Sequence, residues 1–280
     1  MTLLGIGLGL VSAVVFGVAA VVQAQAVRGL ERSPDGLWGF IVGSVRDLRT
    51  MLVIGAYLVG FVLHAAAIWL LPLYLAQALV AMSLPVTALG SRRIEDALSR
   101  LGWTAVGLVT LGLVLLSLGA GEPGSVMTSD AFVLTVWVAM AAVAVAAIVG
   151  RHLGGPVLGL IAGLGYAGSA ISVRGVGTPI TWPVVATALA VPAFSVVAFW
   201  LYSLGMHRAA VPAATASLVV AQTFVPSAVG VALLGDGVRD GWWPAVVLGL
   251  LLAMVGATLL GIEVRTPASA ETGSSPDPAR

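Results

Sequence analysis

Stretches of about twenty apolar residues follow one another from residue 3 to residue 262, and each is long enough to cross the hydrocarbon core of a bilayer as a helix. The candidate spans are 3–26, 51–71, 73–90, 102–120, 131–149, 155–173, 182–204, 209–234 and 243–262. Their apolar residues run all round the helical wheel rather than along one stripe, which favours crossing a membrane over lying on it. Only 9% of the residues are charged, against roughly 25% in a soluble domain, and the mean hydropathy is +1.08. Lipid, rather than water, is the solvent such a surface requires. The expected fold class is an all-α integral membrane protein with about nine transmembrane helices. Residues 51–90 are almost continuously apolar, and Pro72, which cannot donate an intrahelical hydrogen bond, predicts a hairpin between two spans there.

Arginine placement tests the count independently, because cytoplasmic loops carry an excess of basic residues. All thirteen basic residues are arginine. With the N-terminus outside, the inner segments hold Arg28, Arg32, Arg46, Arg49, Arg92, Arg93, Arg100, Arg151, Arg208, Arg265 and Arg280, and the outer loops hold only Arg174 and Arg239. Moving the count by one span would scramble this split. The expected placement is a multi-pass protein of the cell membrane, N-terminus outside and C-terminus cytoplasmic. The N-terminus has neither a basic n-region nor a convincing cleavage site, so it reads as a first span rather than a removed signal peptide.

The chain also repeats itself. Leu8-Gly9-Leu10 with Phe16 recurs as Leu158-Gly159-Leu160 with Tyr166, and the two copies end at Arg28-Gly29 and Arg174-Gly175. Asp96-x-Leu98 followed by Trp103 has its counterpart in Asp236-x-Val238 followed by Trp243, with Pro85 and Pro226 in the helix before each. An odd number of spans separates the two starts, so the second copy enters the bilayer upside down. This divides the chain into residues 1–150, a first half-repeat of five helices with a cytoplasmic linker at 27–50; residues 151–264, a second half-repeat of four; and residues 265–280, a Pro/Ser-rich tail expected to be disordered. Leu37, Trp38, Phe40 and Ile41 among the arginines of the linker suit a segment on the anionic inner leaflet, or a solvated loop with aromatic anchors.

On these residues the chain resembles the drug/metabolite transporter superfamily, in its EamA-like group of two five-helix halves. The resemblance lies in the third-helix proline, the acidic residue opening the next loop, the Gly-rich fourth helix from Leu101-Gly102-Trp103 to Leu118-Gly119, and Leu234-Gly235-Asp236. The nine-span layout, the Arg-bearing linker after the first helix and Ala65-Ala66-Ala67 before Pro72 look most similar to the NIPA-like magnesium-transporter branch. That branch carries an acidic residue in its second helix where this chain has Phe61. No Asp or Glu falls within any span, and magnesium usually takes one or two carboxylates among its oxygen ligands. The branch fits better than its substrate.

Polar side chains in lipid are costly and mark functional candidates. His64 is the one histidine within a span, a proton carrier or a neutral imidazole bonded to a neighbouring helix. Gln77 and Gln222 line a cavity or act as interhelical glue. Trp200 with Trp69, Tyr74 and Tyr202 pads a pocket or belongs to the interfacial belt, with Tyr74 weighted toward the belt. Pro85 and Pro226 each free a backbone carbonyl four residues earlier, and their matching places in the two halves make them the better pathway candidates. Ser169 lies with Gly159, Gly163 and Gly165 on a small-residue face, and Tyr166 matches Phe16, so both join the pathway candidates.

Inverted repeats around a midplane site are the architecture of secondary transporters. The expected function is movement of a small metabolite or ion by alternating access. The alternatives are a NIPA-like magnesium transporter and a non-transporting membrane scaffold of the same fold. The partners implied are that solute, the lipid bilayer and, through the small-residue faces, a homodimer. There is no basic stripe for nucleic acid and no sequence pattern for a cofactor, a metal or catalysis.

Overall fold

The computed structural model describes residues 2–28, 38–39, 47–91, 99–125, 128–209 and 211–263. Most of the linker expected at 27–50, the Asp96-x-Leu98 copy of the repeat and the tail at 265–280 lie outside the described residues. Those residues form ten helices: α1 (Thr2–Arg28), α2 (Leu48–Leu70), α3 (Leu73–Ala81), α4 (Ser83–Ser91), α5 (Arg100–Leu118), α6 (Asp130–Gly150), α7 (Gly155–Arg174), α8 (Trp182–Arg208), α9 (Val211–Leu233) and α10 (Trp243–Glu263). Seven helices are long and apolar enough to cross a membrane. With no strand among the described residues, the fold is that of an all-helical, multi-pass membrane protein.

Helix starts follow local chemistry. Asp47 caps α2 by accepting from the Arg49 and Thr50 amides, and Ser99 and Ser129 cap α5 and α6 with their hydroxyls. Pro72 opens α3, so the predicted hairpin is present, as an extended two-residue turn at Leu71–Pro72. The third apolar stretch is not one helix. It breaks at Met82 into α3 and α4, just before Pro85, whose missing N–H leaves the Ala81 carbonyl without its helical donor.

Glycines set how closely the helices approach. A Cβ on Gly5 or Gly9 of α1 would strike Leu71 or Leu79, and one on Gly17 would strike Val86 and the Ser83 carbonyl. A Cβ on Gly159 or Gly163 of α7 would strike the Ala214 or Leu218 carbonyl of α9. Thus α1 lies against α3 and α4 as well as α2, and α7 lies against α9 as well as α8. Gly112 and Gly249 bring α5 and α10 together at backbone distance, and α3 packs on α9.

These contacts fix directions. The start of α1 meets Leu70 and Leu71, whereas the start of α7 meets Gly205 and Ala209. The two helices therefore run oppositely through the bundle. One end gathers the connecting residues 71–72, 119–125, 175–181 and 234–242; the other holds the Arg151–Leu153 turn, where the Arg208 guanidinium donates to the Arg151 and Leu153 carbonyls. We call them the laced end and the arginine end. Two large buried apolar cores occupy the bundle, beside a small third cluster of Val136, Ala190 and Phe194. One, around Leu71, Leu75 and Val173, lies toward the laced end; the other, around Leu158, Leu201 and Val211, lies toward the arginine end.

Candidate functional site

The laced end is closed by a buried ion pair. Arg174, the last residue of α7, donates from Nη2 to Asp236 Oδ1 at 3.0 Å and to the Leu71 carbonyl at 2.9 Å. Asp236 also accepts the Gly124 amide at 2.8 Å and, at the start of α3, the Leu73 amide at 2.5 Å. Both side chains are sealed, at 4% and 0% exposure. Gly230 makes room, since a Cβ there would sit 2.5 Å from Asp236 Oδ2, and Gly235 turns the chain with φ at +75°. Tyr74 donates toward the Gly119 and Gly237 carbonyls, and the two loops pair through Ala120 and Val238. Tyr74 is therefore fully buried rather than part of a belt, and Arg174 is a buried helix terminus rather than a solvated loop residue.

Deeper in the bundle, six helices meet at one level. Gly60 of α2 accommodates the Phe16 ring of α1, and Gly17 places the adjoining turn of α1 beside Ser83, at the break between α3 and α4. Gly163 touches Leu218 and Ala221, which puts Tyr166 of α7 level with Gln222 of α9, and Gly165 against Ala198 brings Phe199 of α8 to the same height. Tyr57 stacks on Phe16 with ring centroids 5.8 Å apart and meets Phe199 edge-on at 5.4 Å. This layer separates the two apolar cores. Phe16, Tyr57, Tyr166 and Phe199 stay half-buried in it, although Tyr74, Phe194 and Tyr202 elsewhere in the interior are sealed.

Polar groups flank the layer on both sides. Toward the arginine end, Tyr57 donates to Gln23 Oε1 at 2.7 Å, Gln23 donates to Ser203 at 2.6 Å, and Tyr202 pairs with Thr215 at 2.6 Å. Toward the laced end, His64 Nε2 lies 3.2 Å from Gln77 Nε2. Whichever way that amide is turned, His64 Nδ1 is buried without a partner.

Within the layer, Tyr57 is bonded to Gln23, but two other side chains have no hydrogen-bond partner among the described residues. Gln222 is 7% exposed, and its side-chain amide makes no hydrogen bond to a described residue. Its backbone carbonyl also lacks a helical donor, because the residue four positions on is Pro226. Pro85 does the same to the Ala81 carbonyl at the break. The Tyr166 hydroxyl is likewise unbonded among the described residues. Buried polar groups are normally paired, so these open groups at one level make the layer the candidate site.

The sequence-derived candidates thus divide. Tyr166 and Gln222 sit in the layer, Pro85 and Pro226 shape its backbone, and His64 and Gln77 pair one step toward the laced end. Ser169 is interhelical glue, 3.1 Å from Ser195 and bonded toward the Val191 carbonyl. Trp200 is 4% exposed and packs in the core toward the arginine end. Sequence reasoning missed Tyr57, the Arg174–Asp236 pair and the Gln23–Ser203 bond. The matched Arg174 and Asp236 at corresponding points of the repeat were the available signal. No family model matches this chain, and no curated protein or solved structure matches it significantly.

Proposed function

We propose that this protein is a secondary transporter that carries a small solute by alternating access, with nine membrane spans arranged as two inverted half-repeats of five and four. In this reading α3 and α4 together make the third span. The observation that carries the reading is the uncharged layer: unpartnered polar groups at one depth, drawn from helices of both halves, beneath an end closed by an ion pair. The opposed directions of α1 and α7, and the parallel way each packs on its neighbours, support the repeat. So does the pairing of α5 with α10, one helix from each half.

The laced end is the outer face in this reading, with the arginine end cytoplasmic. The Arg174–Asp236 pair is then the outer gate, and it must part for the layer to open outward. The resemblance to the drug/metabolite transporters points the same way. A divalent cation, as in the NIPA-like branch, finds no carboxylate at this depth, so an uncharged layer favours another solute.

The chain contains no cysteine, so one introduced in place of Ser83 gives a clean reporter of access. In proteoliposomes, an impermeant maleimide should label it from the arginine end, and Asp236→Asn should speed labelling from the laced end. Labelling indifferent to Asp236→Asn, together with no solute flux above that of empty liposomes, would sink the proposal.

A further inference from the structure

The contacts between the halves at the two ends of the bundle correspond. At the laced end α2 of the first half meets α7 of the second. Trp69 donates from Nε1 to the Val173 carbonyl at 3.1 Å, and Arg174 donates to the Leu71 carbonyl. At the arginine end the halves exchange roles, and α1 meets α8. There Gln23 donates from Nε2 to Ser203 Oγ at 2.6 Å. The register that sets Leu8 on Leu158 also sets Gln23 on Val173. We infer that Gln23 and Ser203 form the counterpart of the outer gate, an uncharged clasp that holds α1 to α8 and closes the arginine end. The inference rests on the transport reading for the meaning of opening; the clasp itself stands on the geometry.

The Gln23 side chain suits this task. Its Oε1 accepts from Tyr57 of α2 at 2.7 Å while its Nε2 reaches α8, so one amide ties three helices together beside the layer. The Ser203 hydroxyl accepts from Gln23 while donating to the Phe199 carbonyl one turn back. Gln23 is 2% and Ser203 1% exposed, so water does not compete for the bond in this state. Ala20, Ala24, Leu201 and Leu204 share the core toward this end. Apolar contacts have no direction and re-form after a small slide. A hydrogen bond in a dry site holds one register.

The two closures differ in kind. The outer one contains a sealed ion pair, whose separation strands two charges until water reaches them. The clasp contains no charge, and its parting frees only an amide and hydroxyls, at small cost. The arginine end is therefore the easier of the two to open.

The cysteine introduced at Ser83 reads this directly, in proteoliposomes with an impermeant maleimide applied to one end at a time. Gln23→Leu should speed labelling from the arginine end by about three-fold or more. Ser203→Ala, a smaller change that covers a poorly folding leucine variant, should speed it by about three-fold. Neither should speed labelling from the laced end. Ser169→Ala removes a bond of the same kind between α7 and α8, within one half, and should change neither rate.

Unchanged arginine-end labelling in both variants, equal acceleration from both ends, or the same acceleration in Ser169→Ala overturns the clasp. Accelerated arginine-end labelling in a protein that moves no solute above the rate of empty liposomes would sink transport and leave the clasp standing. Solute flux with arginine-end labelling indifferent to Gln23 and Ser203 would do the reverse.

Discussion

Asp236 holds Arg174 at 3.0 Å while its second carboxylate oxygen takes the Leu73 amide, so one side chain joins the end of α7, the start of α3 and the α9–α10 connection. A sealed ion pair is expensive to half-remove, because the survivor is left as a buried, uncompensated charge. Asp236→Leu alone and Arg174→Leu alone should each destabilise the protein by about 3–5 kcal/mol. The double leucine variant should recover much of that loss in a thermal or denaturant unfolding series in detergent. Additive single losses would mean that the two side chains do not act as a pair.

The Ser169–Ser195 contact should matter far less. Interhelical hydrogen bonds in membranes average about 0.6 kcal/mol. Ser169→Ala should therefore shift unfolding by less than about 1 kcal/mol, although the hydroxyls lie only 3.1 Å apart. A loss matching that of the ion pair would assign Ser169 a role beyond helix packing.

Glycine positions on one helix should separate sharply. A Cβ at Gly112 meets the Gly249 carbonyl at 2.5 Å and the Ala253 amide nitrogen at 2.9 Å, whereas one at Gly107 meets nothing within 4 Å. Gly112→Val should cost about 1–3 kcal/mol or more through overpacking, and Gly107→Val should be nearly neutral. Comparable effects at the two sites would contradict the α5–α10 approach described above.

Topology can be read directly from reporter fusions. Tags after residues 122 and 236 should fall on the same side of the membrane, because those loops bond to one another through Gly237 N and Glu122 O at 2.9 Å. A tag after residue 152, in the turn between α6 and α7, should fall on the opposite side. The proposed orientation further requires the first two to be extracellular.

Among the four variants His64→Ala, Gln77→Ala, Gln222→Ala and Trp200→Phe, solute flux should fall most for Gln222→Ala. The unpartnered Gln222 amide sits in the layer, whereas His64 and Gln77 pair with each other one step away and Trp200 is packed in a core. Initial rates in proteoliposomes at matched protein content check the order. Full flux in Gln222→Ala would remove it from the pathway.

The helices themselves could be read from the residues alone. Helix lengths follow from apolar run length, so the expected spans and the helices differ by only a few residues at their ends, and Pro72 marked its own hairpin. The break at Met82 was hidden because α3 and α4 are apolar on both sides of it; Pro85 was the only trace. Asp236 looked like a loop residue because a lone acidic side chain beside glycines normally faces water. Its burial depends on Arg174, Leu73 and Gly124, which lie far away in sequence. The same holds for Tyr57, an ordinary apolar-span tyrosine until Gln23, Phe16 and Phe199 surround it.

The loop around Asp236 is stitched to Leu73, Gly124 and Arg174 by a single carboxylate, and to Gly119 through the Arg239 amide. Such a seam has no weak corner from which to peel. Releasing any one strand of it strips the shared acid of a partner and loosens the rest, so separation at this face should be a concerted, all-or-none event with a steep barrier, rather than a gradual widening.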